Sequence, residues 1–267
     1  MILYPPAKIN LGLQIIAKRP DGYHEIATIM AETPLCDIIE ITEDTFDSFE
    51  QSGIHVPSNG KSNLCEQAIN LLRAHRSFPH LRIHLRKQIP VGAGLGGGSA
   101  DASYILLGVN EMFGLGFQNK ELEQFAAELG SDCPFFIEGG IQLAQGRGEI
   151  LTKLKPFNKS VFLVLCNPQI HVSTAAAYAG VHPIAHRTSL VDAMEIDGFK
   201  DIKNDFEPSV FKAFPSIAKL KEDLYELGAV YASMSGSGSS VFGIFEHEPV
   251  LSPTIAAKTI YSGPWCF

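Results

Sequence analysis

The chain has 267 residues, 45% of them hydrophobic and 19% charged, so it can bury a real core and lies outside the composition of disordered chains. Its formal net charge of −8 argues against a nucleic-acid binder, which needs a positive surface to displace counterions, but leaves room for a local pocket for a small anion. Five widely spaced cysteines (Cys36, Cys65, Cys133, Cys166, Cys266) form no CxxC pair, which speaks against a disulfide framework or zinc site and for a reducing, cytoplasmic setting.

The opening, MILYPPAKINLGLQ, has no basic region before its apolar residues and is interrupted by Pro5, Pro6, Lys8 and Asn10, so it does not read as a signal peptide. No apolar run approaches a membrane span, and a soluble protein is expected. From Ala7 the chain alternates. Ala7, Ile9, Leu11, Leu13 and Ile15 face one way and Lys8, Asn10, Gly12 and Gln14 the other, the pattern of a half-buried strand. RPDGYH makes a turn, and a second strand follows over residues 23–31. Residues 40–62 are acidic and turn-rich, strands joined by exposed loops. That segment lacks the glycine and closing glutamate of an EF-hand and reads as exterior.

Ser62 or Asn63 can cap a helix that turns Leu64, Ala68, Leu71 and Leu72 inward. Leu81, Ile83 and Leu85 then alternate with Arg82, His84 and Arg86 in another strand. The basic set Arg82, His84, Arg86 and Lys87 reads as a solvated face. A helix from about Ala100 to Phe113 includes Asp101 as a first-turn residue. Asn119 caps a further helix that Gly130 ends. After residue 150 the pattern restarts: a strand at VFLVLCNP, helices at VSTAAAYAG, NDFEPSVFKAF and from Pro215 to Gly228, then the strands AVYASM and SVFGIF around the loop SGSGSS. No fixed-period repeat is present. Strands bunch with helices instead of alternating strictly, so the expected fold class is α+β in two domains, 1–150 and 151–267, with the last residues open between them.

Between the strand ending near Lys87 and the helix lies PVGAGLGGGSADAS, with five glycines in the seven positions from Gly92 to Gly98. A dinucleotide fingerprint fails on context, because the following helix leads into another helix and not a strand. A Walker A loop fails for want of GK[ST], and a protein-kinase loop for want of HRD and DFG. The shared physics still applies. Missing side chains let backbone N–H groups converge on an anion, and the helix N-terminus behind them adds partial positive charge. Ser99 offers a hydroxyl at the mouth for a phosphate oxygen or its Mg²⁺. A flexible turn is the plain alternative, but such connections are usually far shorter.

This loop resembles the phosphate loop of the GHMP kinase superfamily. PAKINLGLQIIAKRPDGYHEIAT, GSDCPFF, NDFE and SGSGSSVFG, in that order, resemble the branch whose acceptor is a cytidine-diphosphate sugar alcohol. The resemblance implies a two-domain fold, ribosomal protein S5 domain 2-like at the N-terminus and ferredoxin-like at the C-terminus, with the active site in the cleft between them. It implies ATP as donor, Mg²⁺ carried with it, and transfer to the 2-hydroxyl of the methylerythritol unit. Catalysis falls on Asp132 as general base and Lys8 assisting. ATP falls on Pro90, Val91, Gly92, Ala93, Gly94, Leu95, Gly96, Gly97, Gly98, Ser99 and Ala100.

Tyr23 and Tyr178 are implied to sandwich the cytosine, Tyr178 standing where the related kinases have Phe, with His24 reading its edge. Thr174, Asn10, Asn204 and Asp205 are implied beside substrate or phosphates, and Gly236 and Gly238 in support of the first loop. No protein metal site and neither nucleic-acid nor membrane partners are expected. Each residue has a plainer reading: Lys8 as a solvated strand lysine, Asp132 as a helix N-terminal charge, Tyr178 as core, Asn204 as an N-cap and the SGSGSS loop as a simple turn. Ala100 replaces the second serine common in the family's loop, and threonine is missing from SGSGSS. The same superfamily also holds homoserine- and mevalonate-type kinases. A non-catalytic ligand sensor is the alternative of a different class.

Overall fold

The computed structural model describes residues 1–57, 60, 62–156, 160–185, 188–197, 199 and 202–266. In chain order the strands are β1 (Ile2–Leu3), β2 (Pro6–Lys18), β3 (His24–Cys36), β4 (Ile38–Asp44), β5 (Ser48–Gly53), β6 (His80–Lys87), β7 (Ile141–Gly146), β8 (Ile150–Lys153), β9 (Ser160–Cys166), β10 (Tyr231–Met234), β11 (Val241–Phe245) and β12 (Thr259–Cys266). The helices are α1 (Leu64–His75), α2 (Gly97–Met112), α3 (Asn119–Leu129), α4 (Phe135–Glu138), α5 (Thr174–Ala179), α6 (Leu190–Asp197), α7 (Glu207–Ala213), α8 (Pro215–Glu226) and α9 (Pro253–Ala256). They pack into two compact units, neither a single stretch of chain. The first holds Met1–Ala7, Thr33–Val91 and Gly96–Gly139, the second Lys8–Glu32, Gly92–Leu95 and Gly140–Phe267. No helix among the described residues is long and apolar enough to cross a membrane.

In the first unit the sheet runs β1-β4-β6-β5, with β4 antiparallel and β5 parallel to β6. The two-residue period of β6 decides its faces. Leu81, Ile83, Leu85 and also Lys87 are buried, while Arg82 and Arg86 are exposed. Helices α1–α3 close over that face in one core of Ile39, Ile83, Leu72, Leu106, Phe125 and their neighbours. Asn63, not Ser62, caps α1: its side chain accepts from the Cys65 N–H at 2.9 Å while Glu66 reaches back to the Asn63 N–H at 2.8 Å. The same reciprocal logic moves the cap of α3 from Asn119 to Gln118, because Glu121 binds the Gln118 N–H at 2.9 Å.

The second unit carries two four-stranded sheets, β2-β3-β7-β8 and β10-β11-β9-β12. The latter is antiparallel throughout and follows the order strand, helices, strand, strand, helix, strand. This is the split arrangement of a ferredoxin-like unit, as expected for the C-terminal half. The closing strand β12 pairs with β9, which places residues 259–266 in this sheet. Leu13, Val164, Phe206, Leu220 and Phe245 belong to its core.

Strand β2 corrects the sequence reading. Its alternation suggests a half-buried strand, yet Lys8 is 3% and Asn10 2% exposed beside a fully buried Ile9 and Leu11. Both faces are covered because the polar side chains satisfy one another inside the protein.

Candidate active site

Residues 92–95 of the glycine-rich loop are fixed by their carbonyls. Ala93 O accepts from the Ser240 N–H at 3.1 Å, Gly94 O from Ser235 Oγ at 2.9 Å and Leu95 O from the Lys8 N–H at 2.9 Å. Three consecutive peptide oxygens are thereby occupied by protein donors. Gly94 has φ +81°, and a Cβ there would lie 2.0 Å from Ser235 O, so only glycine permits this approach. At Gly92 and Gly98 the situation reverses. The nearest atoms to a Cβ would be His171 Nδ1 at 3.7 Å and Leu64 Cδ1 at 3.8 Å respectively, so the backbone lies open there. That openness fits a loop approached by a polyphosphate. In the second small-residue loop, a Cβ on Gly236 would lie 3.4 Å from Gly94 O, and one on Gly238 would lie 2.7 Å from Met234 Sδ.

In the first unit α2 starts at Gly97, and Ala100 N–H donates to Gly96 O at 2.9 Å. Asp132 lies in the turn between α3 and α4, partly exposed. Its neighbour Cys133 is fully buried, and Ser103 Oγ donates to Cys133 O at 2.7 Å, which locks this turn onto α2. Burial pushes the Cys133 thiol up to about 11; the Ser99 hydroxyl pulls it down and the Asp132 charge pushes it further up. Ser99 and the Asp132 turn are therefore neighbours, both facing the same thiol.

On β2 of the second unit, Lys8 Nζ donates to Asn10 Oδ1 at 2.6 Å, Asn10 Nδ2 to Thr28 Oγ1 at 2.9 Å and Thr28 Oγ1 to Gly12 O at 2.6 Å. This buried chain of dipoles fixes the ammonium in one place. The solvated reading of Lys8 does not hold. Asn10, expected beside the substrate, uses its amide to hold Lys8 and Thr28.

Asn204 also differs from expectation. It is 1% exposed, donates to Met234 O at 2.8 Å and Gly236 O at 2.7 Å, and accepts from the Phe206 N–H at 3.0 Å. Its side-chain amide bonds main chain and so supports the second loop. Asp205 Oδ2 accepts from the Ile15 N–H at 2.8 Å, binding its segment to β2.

The aromatic residues form a patch of the second unit. His24 stacks on Tyr178 with centroids 4.7 Å apart and 20° between planes, and Tyr178 meets Phe206 edge-on at 4.8 Å. Those rings leave no room for a base between His24 and Tyr178. Tyr23 stays 56% exposed with the Arg147 guanidinium 4.9 Å over its ring. Thr174 Oγ1 lies 3.2 Å from Ser237 Oγ, at the edge of the second loop.

Sequence reasoning missed two elements. Lys87, read as part of the solvated basic face, is 2% exposed and bonds both Asp37 and Asp101 with its ammonium. Asp101, read as a first-turn helix residue, lies beyond that turn, buried and facing Lys87. The signal was available: Lys87 is in register with Leu81, Ile83 and Leu85. The second element is Ser235, whose hydroxyl joins the two loops. Among the described residues no group of three His, Cys, Asp or Glu side chains is placed to hold a metal ion.

Comparison with known proteins bears on this geometry. The family model for the GHMP kinases N terminal domain matches residues 63–140, and that for the GHMP kinases C terminal matches residues 187–252. A 4-diphosphocytidyl-2-C-methyl-D-erythritol kinase of Azobacteroides pseudotrichonymphae is 47% identical over 251 residues, covering 92% of this chain and 94% of the relative. One of Porphyromonas gingivalis is 45% identical over 258 residues, covering 94% of each. A crystal structure of 4-(cytidine 5'-diphospho)-2C-methyl-D-erythritol kinase matches with a TM-score of 0.83 at 30% identity, over 99% of this chain and 98% of the other. A homoserine kinase from Cytophaga hutchinsonii shares the fold, with a TM-score of 0.68 at 18% identity over 100% of this chain and 93% of the other.

Proposed function

The chain belongs to the GHMP kinase family, in its 4-diphosphocytidyl-2-C-methyl-D-erythritol kinase branch, and from that we propose that it transfers the γ-phosphoryl group of ATP to the 2-hydroxyl of 4-diphosphocytidyl-2-C-methyl-D-erythritol. This is a step of the methylerythritol phosphate route to isoprenoids. The observation that carries the acceptor assignment is the identity of 47% with a relative so named over 92% of the chain.

The roles follow the family resemblance, and the geometry supports them. Asp132 takes the proton of the attacking hydroxyl as the oxygen–phosphorus bond forms. Lys8 stabilises the negative charge that develops, and its fixed position on β2 means little reorganisation at the moment of reaction. The loop from Pro90 to Ala100 receives the phosphates. Its open backbone at Gly92 and Gly98 and the N-terminus of α2 supply the favourable dipoles. Ser99 would offer its hydroxyl to a Mg²⁺ carried on the triphosphate, which would supply neutralisation of phosphate charge. Asn10 holds Lys8, and Gly236 and Gly238 back the first loop. The N-terminal family model falls on residues 63–140 and the C-terminal one on 187–252. A single cut at residue 150 would divide β8 and separate Lys8–Glu32 from the unit it packs in, so the two-domain division is not a simple cut of the chain.

Tyr23, His24, Tyr178 and Thr174 form the cytidine end. The contact between His24 and Tyr178 makes one aromatic platform, and the exposed ring of Tyr23 is the other stacking surface. Tyr178→Ala is expected to raise KM for the cytidine substrate about tenfold, the scale of one base–aromatic stack, with KM for ATP within about twofold of wild type. Tyr178→Phe keeps the ring and should stay near wild type. A substrate KM unmoved by the alanine variant removes the stacking role.

The direct test is ³¹P NMR of ATP with the cytidine substrate, with homoserine and mevalonate run beside it. A new phosphomonoester signal with the cytidine substrate alone supports the reading. Transfer only to another alcohol keeps the family and overturns the cytidine pocket. Nucleotide binding without transfer to any acceptor points to a ligand sensor.

A further inference from the structure

We propose that Asn204 and Glu207 are positioning residues for the phosphoryl donor, acting through the loop 235–240 and its contact with Gly92–Leu95. The proposal deepens the reading above and rests on the donor phosphates lying along the glycine-rich loop.

The segment from Lys203 to Glu207 is anchored to the strand that carries Lys8. Leu13 N–H donates to Lys203 O at 2.9 Å, Asp205 N–H to Leu13 O at 2.9 Å and Ile15 N–H to Asp205 Oδ2 at 2.8 Å. From this base two side chains reach the end of β10. Asn204 Nδ2 binds Met234 O and Gly236 O, while Glu207 Oε1 accepts from the Met234 N–H at 2.9 Å and from Ser233 Oγ at 3.1 Å. Glu207 is 7% exposed, and its other oxygen accepts from Lys221 Nζ at 2.6 Å. An ionised acceptor in such surroundings makes stronger hydrogen bonds than a neutral one. Both polar groups of the Met234 main chain are thereby clamped just before the loop begins.

The clamp has a short path to the donor site. Ser235 Oγ holds Gly94 O, Ser240 N–H holds Ala93 O, and no space for a Cβ exists between Gly94 and Ser235 O. With such close packing, the loop 235–240 cannot shift unless Gly94 shifts with it. Asn204 and Glu207 therefore set the height of the phosphate-facing backbone without touching the nucleotide.

The test is calorimetric binding of the β,γ-imido analogue of ATP with Mg²⁺, without acceptor, alongside thermal unfolding and the KM of each substrate. Asn204→Ala and Glu207→Ala each remove two hydrogen bonds of the clamp and are expected to weaken analogue binding about tenfold, since the loss reaches the donor only through the loop. The KM for the cytidine substrate should stay unchanged. Glu207→Gln keeps an acceptor for Met234 N–H and should recover binding to within about twofold of wild type. Folded alanine variants that bind the analogue as wild type does, or a cytidine KM that rises in step with that of ATP, overturn the proposal. If the alanine variants do not fold, Ser235→Ala decides. It leaves the clamp intact and removes the hydroxyl that holds Gly94 O, together with its longer 3.4 Å contact to Asn10 Oδ1, so undiminished binding there overturns it equally. A wild-type protein that binds no analogue overturns the underlying reading, and this inference with it.

Discussion

Asp132→Asn is expected to lower kcat by about 10²–10⁴, the usual scale of a lost general base, while the protein still folds and binds ATP. Asparagine has the shape of aspartate but cannot take a proton from the attacking hydroxyl. The substitution is selective because of how the turn is held. Cys133 is buried and its carbonyl is bonded by Ser103, so neighbours of Asp132 fix the backbone of this turn. Asp132 itself is partly exposed, and no core packing is lost with its charge. Single-turnover kinetics with the cytidine substrate, beside a melting curve and calorimetric binding of an ATP analogue, separate chemistry from folding and binding. Turnover within about threefold of wild type removes Asp132 from proton transfer.

What the sequence makes legible follows from the range of each interaction. The glycine run is readable because Gly94 has a local backbone conformation with few alternatives, and its following helix shows in the same window. The start of α1 is readable to within a residue, since Asn63 and Glu66 sit three positions apart and announce their own cap, whereas α2 begins at Gly97, three residues before its expected start. Pairings across long separations are not. Asn204 reads as a cap, and its side chain does accept from the Phe206 N–H, but its two bonds to Met234 O and Gly236 O cannot be seen in the sequence. Lys8 looks solvated until Thr28, on another strand, is seen to complete its hydrogen-bond chain. His24 and Tyr178 can each be picked out as aromatic, but their direct stacking is a tertiary fact. Lys87 is a different kind of miss: the period of two in β6 already put it on the core face, and its charge outweighed its register.

That register leads to the second large effect, on stability. Lys87→Met is expected to destabilise the fold by about 3–5 kcal/mol, the range for removing one partner of a buried ion pair. The ammonium bonds Asp37, and bonds Asp101 Oδ2 at 2.7 Å, while Asp37 Oδ1 also accepts from the main-chain N–H groups of Gln88 and Ile89. Methionine fills the volume of the lysine stem but leaves two carboxyl groups in the interior without a cation.

The loss should depend on pH in a definite direction. Burial pushes the Asp101 carboxyl up to about 7, against the downward pull of Lys87, with Asp37 raising it further. A carboxyl raised on folding holds a proton that the unfolded chain has released, so its favourable contribution is full below about pH 4 and lost as pH rises through the folded value. Without the ammonium the Asp101 carboxyl loses its downward pull and is driven higher still, and the deficit of the variant should widen between about pH 6 and pH 8. Asp101→Asn provides the contrast, since it leaves one carboxylate opposite one ammonium and should be milder than Lys87→Met at either pH. Urea unfolding of the three proteins at both pH values reads this directly. A Lys87→Met protein within about 0.5 kcal/mol of wild type at the higher pH would mean that the buried charges contribute nothing net to the fold. A deficit that narrows as pH rises would mean that the carboxyls are not what the ammonium was holding.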